Sequence, residues 1–319
     1  MSRTNLVLLA AIALGLPLSL LAGRVWIDPF HPALAAAPAI LFELRLPRGV
    51  LALVLGAGLG GAGAAMQGYL RNPLADPGLF GIAPGAALGA VLALLTGASA
   101  AYALPLAALI GAGTAMALLA LIAGRTAGVT LFTLAGMMIA SLAGALTSLA
   151  ISLAPNPFAL SEIVTWLMGA LTDRGWPDVW IAAPPTFAGL LVLALAGRDL
   201  DALTLGEDAA RSLGVEPRRV QALMIVGVGL TVGAGVAVAG IIGFVGLMVP
   251  HLVRRFTDRR PSRLIVPSAL AGALLVLVAD MACRIMPLAG GELRLGIGLS
   301  LLGAPFFLAL LLRMRKGLA

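Results

Sequence analysis

Asp280 and Arg284 stand four residues apart in an otherwise apolar run, a spacing that sets an acid and a base on one face of a helix. Such a pair serves either as a structural ion pair or as one station of a proton relay. A relay needs several ionisable groups at mid-membrane, and Asp280 is the main acid within the long apolar runs. A helix-end ion pair is therefore the expected role. Catalytic chemistry has still less to build on. Lys316 is the single lysine and Gly317 follows it, so the Gly-Lys-Ser/Thr of a phosphate-binding loop is missing. Neither H-E-x-x-H nor G-x-S-x-G occurs. Cys283 is the one cysteine, which rules out an intrachain disulfide and a cysteine-based metal site. His31 and His251 are too few for a histidine-rich one. We expect no catalytic residue, no metal and no cofactor in this chain.

The composition names the solvent instead. Of the 319 residues 61% are hydrophobic and 11% charged, with mean hydropathy +1.06. A soluble domain is about 45–50% apolar and about 25% charged, so most of this chain must face lipid. The 40 glycines fit, because glycine lets membrane helices approach closely. The net charge of +7 is no nucleic-acid signature, since the arginines fall in short segments between apolar runs and not on one face.

A span takes about 20 apolar residues. Ten candidates cover 5–22, 49–68, 79–96, 102–123, 130–154, 179–197, 220–240, 241–253, 264–282 and 295–312. The run from Asn5 to Gly23 has the look of a signal peptide, but with no A-x-A-like cleavage site close behind it reads as a first span. The stretch 220–253 holds no charge, and as one helix would rise roughly 50 Å at 1.5 Å per residue. Two spans, bent at Gly240, Gly243 or Gly246, keep its flanking arginine clusters on one side, as the positive-inside rule prefers. Both termini are then cytoplasmic, and only Arg24, Arg45, Arg48, Arg174, Arg284 and Arg294 of the 21 basic residues fall outside. The segments opening at Pro47 and Pro217 both begin Pro-Arg and turn glycine-rich, and in this topology they run oppositely, as in an inverted repeat.

Five blocks carry a resemblance. They are RLPRGVLALVLGAGLGGAGAAMQGYLRNPLADPGLFGIAPGAALGA (45–90), WLMGAL (166–171), LTLGEDAARSLGV (203–215), GIIGFVGLMVPHLVRRF (240–256) and GELRLGIGLSLLGAPFFLALLLR (291–313). In order and content they resemble the FecCD family, the permeases of ABC importers for iron-siderophores, haem and cobalamin. The resemblance implies one all-α, polytopic domain over 1–319, with ten transmembrane helices per subunit and a homodimer around a central pathway. It implies two copies of an ATPase subunit, which bind the ATP and Mg²⁺, and a periplasmic substrate-binding protein, all at the bacterial inner membrane. Iron-siderophore or haem is the expected cargo, ahead of cobalamin. A self-sufficient secondary transporter or channel is the competing class.

Site residues follow from both sources. In 71–78, Pro73 keeps Asn72 out of the α region and Asp76-Pro77-Gly78 turns the chain, so a tight inter-helix turn explains the prolines. The resemblance adds a cytoplasmic gate at Asn72 and Leu74, with Val129 and Thr130 from the loop before the fifth span, where some relatives carry a hydroxyl residue in place of Val129. GEDAARSLG reads as a short helix with Glu207 and Asp208 in its first turn, Gly214 as its stop and Ala209, Ala210 and Leu213 as an apolar face. Within 199–219 the resemblance makes Gly206, Glu207, Asp208, Ala210, Arg211, Leu213 and Gly214 the ATPase-coupling element. Arg45, Arg48 and Arg284 sit outside as snorkelling anchors. The resemblance pairs them with glutamates of the binding protein. Met66, Gln67, Met137, Met138 and Met168 are candidate pathway residues, against plain apolar filling. His251 is expected to be structural, and Trp166 and Trp176 are expected as outer-interface anchors.

Overall fold

The computed structural model describes residues 2–23, 37–97, 102–124, 128–286 and 291–316, and every described element but one isolated bridge residue is helical. Arg24 and His31 lie outside the described residues. Thirteen α-helices follow one another: α1 Arg3–Leu21, α2 Leu46–Tyr69, α3 Ile82–Leu95, α4 Ala103–Ala123, α5 Val129–Ser152, α6 Pro157–Leu167, α7 Trp176–Leu195, α8 Gly197–Leu203, α9 Glu207–Ser212, α10 Pro217–Ala239, α11 Val245–Arg254, α12 Pro261–Ile285 and α13 Leu295–Lys316. A short turn, Ala37–Ala39, and a π-helical stretch, Ile40–Arg45, lead directly into α2.

Eight of these helices are long and apolar enough to span a bilayer. The other two expected spans are α3 and α11, at 14 and 10 residues. The stretch 220–253 breaks where the charge argument places the break. Gly240 at φ +72° ends α10 and Phe244 at φ +66° precedes α11. Two details differ from the sequence reading. The apolar helix α6 stands between the fifth and sixth expected spans, and Gly246 lies inside α11 as a packing contact rather than at the bend.

Glycine sets the packing. The α2–α12 pair is antiparallel: Gly49 meets Leu277, Gly56 meets Gly272, Gly60 meets Ser268 and Gly68 meets Pro261. A Cβ on Gly56 would sit 2.2 Å from the Gly272 carbonyl oxygen, and one on Gly60 at 2.2 Å from that of Ser268. Only hydrogen fits, so the two backbones touch. The helices opening at Pro47 and Pro217, α2 and α10, also run antiparallel, with Leu55 beside Gly235 and Gly58 beside Thr231. Both are central, with 72% of their most apolar window buried against 6% for α1.

The WLMGAL block lies at a crossing of three chain segments. Gly169, at φ +68°, bonds through its carbonyl to the Gly296 amide (3.0 Å), and Ala170 N–H donates to Ala239 O (2.8 Å). The Ile241 carbonyl fills the place of a Gly169 side chain. Trp166, expected at a membrane interface, is instead buried in this crossing, while half-buried Trp176 donates Nε1–H to Phe42 O at 3.1 Å.

Candidate functional site

Chemistry-bearing side chains gather at the two ends of the bundle. At the end where α2 begins, Arg48 grips Asp280 of α12 with two edges of its guanidinium: Nε to both carboxylate oxygens (3.1 Å each) and Nη2 to Oδ1 (2.8 Å). Its Nη1 donates to Glu292 at 2.8 Å. Arg284 Nε lies 3.1 Å from Asp280 Oδ2, and Nη1 donates to the carbonyl of Ser19 at the end of α1. Arg45 Nη1 donates to the carbonyls of Leu20 and Leu21 (2.8 and 2.9 Å). Asp280 is fully buried, and the side chains of Arg48 and Arg284 are 11% and 4% exposed. A charge so deep is stable only when paired, and one carboxylate here serves two arginines.

The three arginines expected at this end thus have partners within the chain. Arg48 and Arg284 tie α2, α12 and the end of α1 together, and Arg45, half-buried, fastens to the same end of α1. The Asp280–Arg284 pair itself is as the four-residue spacing predicts. Glu292 was missed: it is distant in sequence and lies in an irregular stretch before α13, with no periodicity to reveal its facing.

At the opposite end α2 closes with a reversed cap. Asn72 N–H returns to Gln67 O and Arg71 N–H to Gly68 O, with Arg71 itself at φ +49°. Asn72 Oδ1 then accepts from Leu74 N–H (2.9 Å) and Asp76 Oδ1 from Gly78 N–H (2.7 Å). These side-chain turns explain the polar residues of the loop. The loop is wedged, not free: Pro77 abuts Gly246 of α11, and Phe80 packs on Phe132 of α5 at 5.5 Å. Burial pushes the Asp76 carboxyl up, and the amides of Gly78 and Leu247 pull it down less strongly. Leu74 and Asp76 line a cavity of about 370 Å³ with Leu55, Leu59, Phe244 and Phe307, whereas Asn72 is exposed. On α5, Val129 is half-buried and Thr130 exposed.

Met66 and Gln67 face inward within the subunit. Both are buried. Gln67 donates to the carbonyl of Leu247 (3.2 Å) and accepts from Arg254 (2.9 Å), bracing α2 to α11. Met137 and Met138 lie on an open face of α5, and Met168 is partly exposed at the end of α6. His251 packs its ring edge-on against Phe306 at 5.9 Å.

The short helix α9 forms as read. Gly206 (φ +104°) opens it and Gly214 (φ +86°) closes it, with Val215 N–H to Ala210 O and Gly214 N–H to Arg211 O. Glu207 and Arg211 form a loose ion pair at 4.0 Å, Asp208 is exposed, and Ala210 is fully buried. Leu205 and Leu213, at 67% and 66% exposed, are not covered. The adjoining α8 is tied down by a bond the sequence did not advertise. Asp201 accepts from the amide of Ser262 (2.9 Å) and from its hydroxyl, capping the first turn of α12 from another helix.

Residues 7–313 match the model of the FecCD transport family. The chain belongs to that family. Among FecCD relatives, the vitamin B12 import system permease protein BtuC of Salmonella paratyphi A is 38% identical over 322 residues, covering 99% of this chain and 95% of its own. BtuC of Vibrio cholerae is 38% identical over 303 residues, covering 93% and 89%. The uncharacterized ABC transporter permease protein YvrB of Bacillus subtilis is 38% identical over 287 residues, covering 87% and 80%. A solved metal-chelate type ABC transporter in an inward-facing conformation superposes with a TM-score of 0.89 at 31% identity, over 97% of this chain and 98% of that one. This FecCD chain is thus an ABC importer permease, helical among its described residues, with eight helices long enough to span and two shorter apolar ones where the other two spans were expected.

Proposed function

We propose that this permease moves a metal chelate across the bacterial inner membrane by alternating access, driven by ATP that two partner ATPase subunits hydrolyse. The observation that carries the reading is α9. Six residues do not hold a helix alone, yet this one is capped at both ends, anchored by Ala210 and left with Leu205 and Leu213 open. We take that open edge, with Glu207, Asp208 and Arg211, as the ATPase contact on the cytoplasmic side. Both termini share that side. Two copies of the chain flank the pathway, with Asn72, Leu74, Val129 and Thr130 near its inner mouth and Met137, Met138 and Met168 on faces open to the second copy. A periplasmic binding protein docks at the Arg45, Arg48 and Arg284 end. The chain contributes no bond-making chemistry and carries no cofactor.

For the cargo, a cobalamin reading now stands beside the iron-siderophore or haem reading, because BtuC proteins are 38% identical across nearly the whole chain. The test is reconstitution with an ATPase subunit and a binding protein in proteoliposomes, offered cyanocobalamin, a ferric hydroxamate and haem in turn. ATP-dependent uptake of one chelate supports the reading and assigns the cargo. Uptake by the permease without an ATPase subunit overturns it in favour of a self-sufficient transporter.

A further inference from the structure

The buried ion cluster at the Arg48 end has two carboxylates of different standing. Asp280 is enclosed and shared by two arginines, and its loss would leave Arg284 with no carboxylate and Arg48 with Glu292 alone. Among the described residues Glu292 pairs with Arg48, through the one guanidinium nitrogen that Asp280 does not use, and its side chain is 23% exposed. It is the outermost member of the cluster, in irregular chain just ahead of α13. An anion arriving at Arg48 meets Glu292 first.

We propose that Glu292 is a resident stand-in for an incoming carboxylate: it holds the outer edge of Arg48 until an acidic side chain of the docking protein replaces it. The inference rests on the docking reading given above. The physical advantage is conservation of pairing. Arg48 is never left with an unsatisfied donor in a low-dielectric site, where the penalty is large. One carboxylate leaves as another binds, so the contact adds discrimination and orientation more than affinity, and the partner can depart again. The resident also denies Arg48 to lipid phosphate and other stray anions.

The test uses the full chain in nanodiscs of zwitterionic lipid at low salt. Phenylglyoxal, an arginine-selective dicarbonyl, is the probe of free guanidinium, read residue by residue by mass spectrometry, and tetraglutamate is the competing carboxylate. Arg48 in Glu292→Gln should react about fivefold faster than in the parent, and tetraglutamate should protect it at about tenfold lower concentration. Glu292→Asp, which keeps the charge and shortens the reach, should fall between and guards against a folding defect. Equal Arg48 reactivity in parent and Glu292→Gln, with tetraglutamate protecting both alike, overturns the stand-in and leaves docking intact. Failure of tetraglutamate to protect Arg45, Arg48 or Arg284 in any form overturns the docking reading, and the stand-in with it.

Discussion

At the scale of single residues, Asp280 is the side chain on which most depends. It is the sole partner of Arg284 among the acids described here and holds two edges of Arg48. Removing one partner of a buried pair costs about 3–5 kcal/mol because a bare charge remains. Asp280→Ala, which strands Arg284 and leaves Arg48 with Glu292 alone, should fall toward the upper end of that range. The check is thermal unfolding of purified protein in detergent, with Arg284→Met in the Asp280→Asn background expected to recover part of the loss. The sequence made half of this visible. Four-residue spacing gave Asp280–Arg284, but Arg48 and Glu292 approach from 232 and 244 residues away, and no local period encodes that. The same limit hides which way Met66 and Gln67 face. A glycine-rich helix has little apolar contrast around its circumference, so its sequence does not say which side meets α11.

At the scale of elements, contact between backbones sets what can change. Gly60→Val places two methyl groups where the Ser268 carbonyl already sits, and overpacking typically costs about 1–3 kcal/mol. Since carbonyl and helix cannot step aside together, the loss should lie at the high end, seen as reduced folded yield and lowered melting temperature. Gly113, with open space around it, should accept alanine without measurable loss in the same assay. On α9 the prediction concerns partnership rather than folding. Leu213→Asp changes the side chain at the C-cap but keeps the backbone bonds that close α9 and the buried Ala210, so the permease should remain folded while ATP hydrolysis and uptake become uncoupled, with uptake down about tenfold. Unchanged uptake would remove α9 from the coupling role. Helix existence was readable for nearly every element here because apolar runs are long and their ends marked by arginine, proline or glycine. α6 escaped notice because eleven residues cannot span, and the search was for spans.

At the scale of the whole molecule, the proposed function makes the chain a conduit moved by its partners. Charges are confined to its two ends and to one buried cluster, so binding at the Arg48 end should be salt-sensitive: raising ionic strength from 0.05 to 0.5 M shortens the Debye length to roughly 4 Å and should weaken binding-protein association several-fold. Surface plasmon resonance on nanodisc-held permease reads this directly, and salt-independent association would place docking elsewhere. That the bundle belongs to an importer was legible from motif order. The cargo was not, because the open faces of α5 and the cavity lining are generic apolar surface.

α12 joins the two ends. Its first turn is capped by Asp201 of the segment beside α9, and near its last turn it carries Asp280 and Arg284. Between them lie 18 residues of helix pressed backbone-to-backbone on α2, a strut of roughly 27 Å at 1.5 Å per residue. A strut clamped along its length resists bending except near Pro267, the proline inside it. Displacing its foot should then displace its head, and a nudge at one membrane face should be felt at the other.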